Sequence, residues 1–263
     1  MNADPAQQSA QILNGRVGLI VGIANSQSIA WGCARAMHDA GASLAVTYLN
    51  DKALPYVAPL AEAVAAPLLL PLDVRDEAQT EAVFEAIRAT WGRLDFLVHS
   101  IAFAPLEDLH GRVTDCSRDG FLTAMDISCH SFVRLARRAE PLMANGGSLV
   151  TMSYYGAEKA VPDYNLMGPV KAALEASVRY MAHELGGSGI RVNAVSPGPI
   201  RTRAASGLSG FDQLVARAEH DSPFHDLVSI DDVGQATAFL CSPFADRMTG
   251  QTLYIDGGVS VRG

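Results

Sequence analysis

Tyr164 and Lys171 are the residues in this 263-residue chain whose types and spacing most directly offer chemistry. Seven residues is close to two helical turns, so a helix would carry both side chains on one face. A lysine ammonium beside a phenol favours the phenolate and lowers its pKa, and the same ammonium can hold sugar hydroxyls. A second phenol, Tyr154, stands ten residues before Tyr164. Tyr155 is adjacent to it, and either ring could be the one facing inward.

A second group of residues suits a nucleotide. After the run ending at Val21 the chain reads Gly22-Ile23-Ala24-Asn25-Ser26-Gln27-Ser28-Ile29-Ala30. A strand, a turn and a helix start in that order aim backbone N–H groups at a pyrophosphate. The full glycine fingerprint is missing: Gly22 remains, with Ser28 and Ala30 as small substitutes. Asp73-Val74 follows a later apolar run and would set a carboxylate near an adenine amino group, or would simply cap the helix that follows. Ser100-Ile101-Ala102 follows another such run, with residues small enough for close approach of a cofactor.

These residues need a scaffold that brings strand ends together. Short aliphatic or β-branched runs (16–21, 43–48, 67–72, 95–99, 148–152, 190–195 and 251–255) alternate with segments of helical period (29–40, 52–65, 76–90, 114–143, 167–185 and 231–240). Pro55 and Pro59 leave the start of the second helix open, and 114–143 holds one or two helices. Runs apolar on both faces and separated by helices are what a covered parallel sheet requires. The expectation is an α/β fold, a single doubly wound Rossmann-type domain with a seven-stranded parallel sheet, over residues 15–263 after a polar tail at 1–14. Residues 197–210, PGPIRTRAASGLSG, leave a strand end and form either a lid or an ordinary surface loop. A substrate loop is expected at about 197–220.

Bulk properties narrow the class. With 49% hydrophobic and 18% charged residues the chain can bury a large aliphatic core and is not disordered. A formal net charge of −8 without a basic run argues against nucleic acid. Cys33, Cys116, Cys129 and Cys241 lack metal-ligand spacing and read as free thiols, so no metal is expected. The polar N-terminus is no secretory signal, and no apolar run would span a bilayer, so a cytoplasmic location without membrane association is expected.

The ordinary short-chain dehydrogenase/reductase spaces its Tyr and Lys four apart, and here Met167 occupies that Tyr position. The wider spacing, with Tyr154 upstream, resembles the enoyl-acyl-carrier-protein reductase branch of that superfamily. The resemblance runs through GIANSQSIAWG (22–32), TYLNDK (47–52), HSIAFAP (99–105), SYYGAEKAVPDYNLMGPVKAALEASVRYMA (153–182), GIRVNAVSPGPIRTRAASG (189–207), DDVGQATAFLCS (231–242) and DGG (256–258). It implies reduction of the trans-2 double bond of an enoyl thioester by NADH, with acyl carrier protein as the substrate's carrier and a homotetramer as the assembly. Tyr164 would stabilise the enolate, Lys171 would hold the nicotinamide ribose, and Tyr154 would line the acyl pocket. The cofactor set becomes Gly22, Ser28, Ile29, Asp73, Val74, Ser100, Ile101, Ala102, Lys171, Ile200 and Thr202. The substrate pocket becomes Phe103, Ala104, Tyr154, Met167 and Phe211, although Phe103 and Met167 would serve equally as core fillers.

Departures from the best-known members stand at Leu49, Ala102, Pro197 and Arg203, and bear on cofactor preference and chain length. Leu49 and Asn50 supply no cation for a 2′-phosphate, Asp51 adds negative charge and Lys52 alone opposes it, so NADH is expected over NADPH. Arg201 and Arg203 would meet an acidic carrier protein. Two other readings remain at this point: a ketone or alcohol oxidoreductase on the same fold, and a catalytically silent dinucleotide-binding paralogue.

Overall fold

In the computed structural model, which describes residues 11–202 and 210–261, the apolar runs become strands of one sheet. These are β1 (Val17–Val21), β2 (Ser43–Tyr48), β3 (Leu68–Pro71), β4 (Phe96–His99), β5 (Gly147–Met152), β6 (Ile190–Pro197) and β7 (Thr252–Ile255). Their order is β3-β2-β1-β4-β5-β6-β7, and every neighbouring pair is parallel. The chain leaves β1 toward one edge and returns to β4 on the other side. The crevice between β1 and β4 is the switch point where open parallel sheets take ligands. The doubly wound, seven-stranded parallel sheet expected from the alternation is the one observed.

Nine α-helices are seen among the described residues: α1 (Ile29–Asp39), α2 (Leu54–Ala63), α3 (Glu77–Trp91), α4 (Leu106–Leu109), α5 (Arg118–Met125), α6 (Ser131–Ala139), α7 (Met167–Leu185), α8 (Phe211–Asp221) and α9 (Ile230–Cys241). Strand residues alternate between two cores. Leu19, Val21 and Leu97 face α3, α6 and α7, while Ile20, Phe96 and Val98 face α1, α2 and α9. This period of two explains why central strands are apolar at every position.

Local chemistry sets several boundaries. Pro55 falls in the first turn of α2, where a missing N–H costs nothing, and Pro59 is carried inside the helix. Asp76, not Asp73, caps α3, its carboxylate accepting from the Ala78 and Gln79 amides. The segment 114–143 holds two helices, α5 and α6, joined by a π-helical turn at Asp126–His130. No helix among the described residues is long and apolar enough to cross a membrane.

Helices α1 and α9 touch through glycines. A Cβ on Gly32 would lie 2.1 Å from the Ile230 carbonyl oxygen, and one on Gly234 would lie 2.3 Å from that of Gly32. The opposing atoms are backbone, which cannot swing aside. Gly234→Ala gains under about 1 kcal/mol of helix propensity, but overpacking at a rigid contact costs about 1–3 kcal/mol. The variant is therefore expected to unfold at lower urea concentration; an unchanged or higher midpoint would show that the two helices separate freely.

Candidate active site

The carboxyl ends of β1, β4, β5 and β6 surround one cleft, closed on its far side by the start of α7 and by α8. Gly22 follows β1 with φ of 112°. A Cβ there would sit 2.1 Å from the Ser100 carbonyl oxygen, so only glycine lets the ends of β1 and β4 meet. The Ser28 hydroxyl accepts from the Ala24 and Asn25 amides at 3.0 and 3.1 Å and so folds the turn. Because it bonds backward, no side chain caps the first turn of α1. Ser28 and Ile29 line the cleft at that helix start, which suits an anion.

Ser100, Ile101, Ala102, Phe103 and Ala104 form the wall leaving β4. The Ser128 hydroxyl accepts from the Phe103 amide and donates to the Phe103 carbonyl, both at 2.9 Å, so the π-helical turn pins this wall. Phe103 remains 49% exposed, which makes it a cleft residue and not a core aromatic. Met167 does both, lining the cleft while packing in the core.

Tyr154, Tyr164 and Lys171 converge on the same cleft. The rings of Tyr154 and Tyr164 lie 4.7 Å apart at 59°, an attractive tilted pair. Tyr154, not Tyr155, faces in, and its buried hydroxyl has no partner among the described residues. Tyr164 does not sit on the helix. It lies in the turn before α7, between Asp163 and Asn165, whose φ values are 62° and 41°. Asp and Asn tolerate this left-handed region better than other side chains, and the Asn165 amide donates to the Leu109 carbonyl at 3.0 Å.

The electrostatics also differ from the expectation of a phenolate. Burial, and then the Glu175 carboxylate, push the Tyr164 hydroxyl well above its ordinary pKa. Burial pushes Tyr154 up as well. Lys171 donates to the Met152 carbonyl at 2.6 Å. Desolvation lowers its pKa to about 8, against the opposing pull of Cys129 and Glu175. Both phenols therefore stay protonated, as hydrogen-bond donors.

Ile200 and Thr202, after β6, and Phe211, on α8, line the opposite wall. Asp73 and Val74 do not line the cleft. Arg75 grips the Asp73 carboxylate through Nε and Nη2, and the Val74 side chain is buried in the core. Arg134 takes the Val74 carbonyl. Arg201 pairs with Asp212 at 2.6 Å, and Arg203 lies outside the described residues. Sequence reasoning passed over Ser153, which lines the cleft, and Ser128; nothing in their local spacing marks either. No cluster of metal-ligating side chains occurs among the described residues.

Comparison with known proteins decides the family. A family model described as enoyl-(acyl carrier protein) reductase matches residues 22–260. The chain belongs to that family. It is 47% identical over 251 residues to enoyl-acyl-carrier-protein reductase (NADH) 1 of Rhizobium meliloti (strain 1021), covering 95% of this chain and 92% of that one. It is 44% identical over 250 residues to the NADH-type reductase of Escherichia coli (strain K12), with 95% of each chain covered. The solved reductase of Anaplasma phagocytophilum, in complex with NAD, superposes with a TM-score of 0.93 at 47% identity over 97% of both chains. That of Bacillus cereus, with NADP+ and an indole naphthyridinone, gives 0.93 at 41% identity over 96% of this chain and 99% of that one.

Beside the site, His99 is wholly buried and bridges β4, β5 and α6. Ser131 donates its own proton to the Ile127 carbonyl at 2.6 Å, so it must accept from His99 Nε2 at 2.8 Å. Nδ1 is then the acceptor for Thr151 Oγ1, also at 2.8 Å. Burial, then the Lys171 charge, lower the imidazole pKa from 6.5 to about 3. An unfolded His99 protonates near pH 6.5 while the folded one does not, so this group's contribution to stability is full above 6.5. It is lost at roughly 1.4 kcal/mol per pH unit as pH falls toward 3. The stability gap between the protein and His99→Gln, measured by urea unfolding, should shrink between pH 7 and 5; a constant gap would contradict a neutral buried imidazole.

Proposed function

We propose that this protein reduces the trans-2 double bond of an enoyl thioester carried on acyl carrier protein, with NADH as reductant. The observation that carries the reading is the meeting of Tyr154, Tyr164 and Lys171 in one apolar cleft, with Met167 where a carbonyl reductase of this superfamily would have its tyrosine. The uncapped start of α1, the small residues after β4 and the buried Lys171 ammonium suit a dinucleotide's phosphates, its close-packed ring and its ribose hydroxyls. NADH, when bound, supplies the hydride.

The protein's own groups then orient and polarise. Lys171 holds the ribose hydroxyls. Negative charge develops on the thioester oxygen as the double bond is reduced, and the protonated Tyr164 hydroxyl donates to it. A donor fixed in a dry cleft is worth several kcal/mol there. Tyr154 lines the acyl side with Phe103, Ala104, Met167 and Phe211. Gly22, Ser28, Ile29, Ser100, Ile101, Ala102, Ile200 and Thr202 form the cofactor side. A homotetramer working in the cytoplasm completes the reading, and the four free thiols are consistent with a reducing compartment.

The decisive experiment follows loss of the reduced nicotinamide's near-ultraviolet absorbance with a crotonyl thioester, with a ketone, and with neither. Turnover of the thioester alone is expected; turnover of the ketone alone, or none, would discard the reading. Lys171→Ala should weaken NADH binding in direct titration. Tyr164→Phe should leave that binding nearly unchanged and lower kcat, modestly if Tyr154 substitutes. The opposite pattern would reverse the assigned roles.

Cofactor choice gives a separate check. Leu49 is exposed at the end of β2, and Asn50 is spent accepting the Lys52 and Ala53 amides. Arg75, in the turn after β3, pairs with Asp73. With these groups offering little to a 2′-phosphate, kcat/KM should favour NADH by about tenfold or more, one well-placed charge contact being worth that much. A preference for NADPH would implicate Lys52 or Arg75.

A further inference from the structure

One turn beyond Lys171 on α7, Glu175 is buried to 4% exposure, and the chemistry above makes no use of it. Its Oε1 accepts from Ser153 Oγ at 2.5 Å, and Ser153 lines the cleft. Lys171 Nζ meanwhile donates to the carbonyl of Met152. Two side chains four residues apart on one helix face thus grip two consecutive residues at the end of β5, immediately before Tyr154.

A buried ammonium on a neutral carbonyl is only partly compensated, because a charge out of water needs an opposite charge within reach. The groups facing Lys171 from other elements are uncharged. The Cys129 thiol, from the π-helical turn, is pushed up by burial, and His99, from β4, is neutral. Glu175 makes no direct ion pair with Lys171, but both are buried one turn apart on α7, and its charge reaches Lys171 and Tyr164 through the dry interior. Around Glu175 itself stand Glu158 beyond β5, Arg179 on α7, and Thr252 and Tyr254 on β7, with Asp256 acting on Tyr254. Burial raises the Glu175 carboxyl, while the Ser153 hydrogen bond and Arg179 favour its ionised form.

We propose that Glu175 is a positioning residue of the reductase: its carboxylate holds Lys171 as an ammonium, and its bond to Ser153 sets the strand end that carries Tyr154. The inference rests on Lys171 holding the cofactor. The sign follows from Coulomb's law. A carboxylate favours the charged amine, so replacing it with an amide lowers a pKa that burial has already depressed.

The chain's lysines are Lys52, Lys159 and Lys171, and the first two are exposed, so the Lys171 ε-carbon is separable by NMR in the cofactor-free protein, with Lys171→Arg for assignment. Glu175→Gln keeps an acceptor for Ser153 and removes the charge. It should lower the Lys171 titration midpoint by about one pH unit. NADH affinity should then fall about fivefold at pH 8 and change little at pH 6, as follows from the loss of ammonium with a midpoint lowered by that amount. Ser153→Ala keeps the carboxylate; it should leave the Lys171 titration in place and lower kcat with NADH affinity unchanged. An unmoved Lys171 midpoint in Glu175→Gln overturns the counter-charge role, and full kcat in Ser153→Ala overturns the strand-end role. If the midpoint falls in Glu175→Gln while NADH affinity ignores that titration even in the unmodified protein, the coupling stands and the cofactor role of Lys171 is what fails.

Discussion

An ammonium held out of water at the carboxyl end of a parallel sheet constrains everything around it. Lys171 is 4% exposed, and its pKa of about 8 against 10.5 corresponds to roughly 3 kcal/mol of disfavoured charge. That cost can persist only where the surroundings are over-determined. The Met152 carbonyl must turn toward α7, and the register of α7 against β5 must hold. Each condition reappears as a feature of the site: the end of β5, the helix face carrying Lys171 and Glu175, and the Ser153 hydroxyl between them.

The same low dielectric decides what the other groups can be. Tyr154 and Tyr164 stay protonated because burial outweighs any help from the lysine, and His99 stays neutral for the corresponding reason. The cleft therefore presents neutral donors around the Lys171 ammonium. Donors that need not reorganise when charge appears on a substrate oxygen are what electrostatic catalysis requires. Protonated phenols and a neutral imidazole follow from one environment.

Backbone devices hold these groups in place. Gly22 lets β1 and β4 meet, and Ser128 in the π-helical turn clamps Phe103 at both its amide and its carbonyl. Asp163 and Asn165, in left-handed conformations that cost of order 1 kcal/mol or more each, turn Tyr164 over the start of α7. Two of the four left-handed non-glycine residues among the described ones thus flank Tyr164.

Much of this protein was legible along the chain. Strand and helix periods are local properties, so β2 and α7 emerge with their observed bounds, and the seven parallel strands follow from alternation. Tyr164 and Lys171, and Gly22 with the small residues after β4, were readable as types at spacings, and they line one cleft. What the sequence by itself could not determine was anything resting on distant partners. Whether Tyr164 stood on a helix or before it depended on a turn tied to Leu109, and whether it ionised depended on burial and Glu175. Asp73 was readable either as a nucleotide's partner or as a helix cap; the cap proved to be Asp76, and Asp73 pairs with Arg75. Spacing says which groups can share a face. Solvent exclusion and hydrogen-bond competition, which exist only once the sheet has closed, decide which charges survive and which donors stay open.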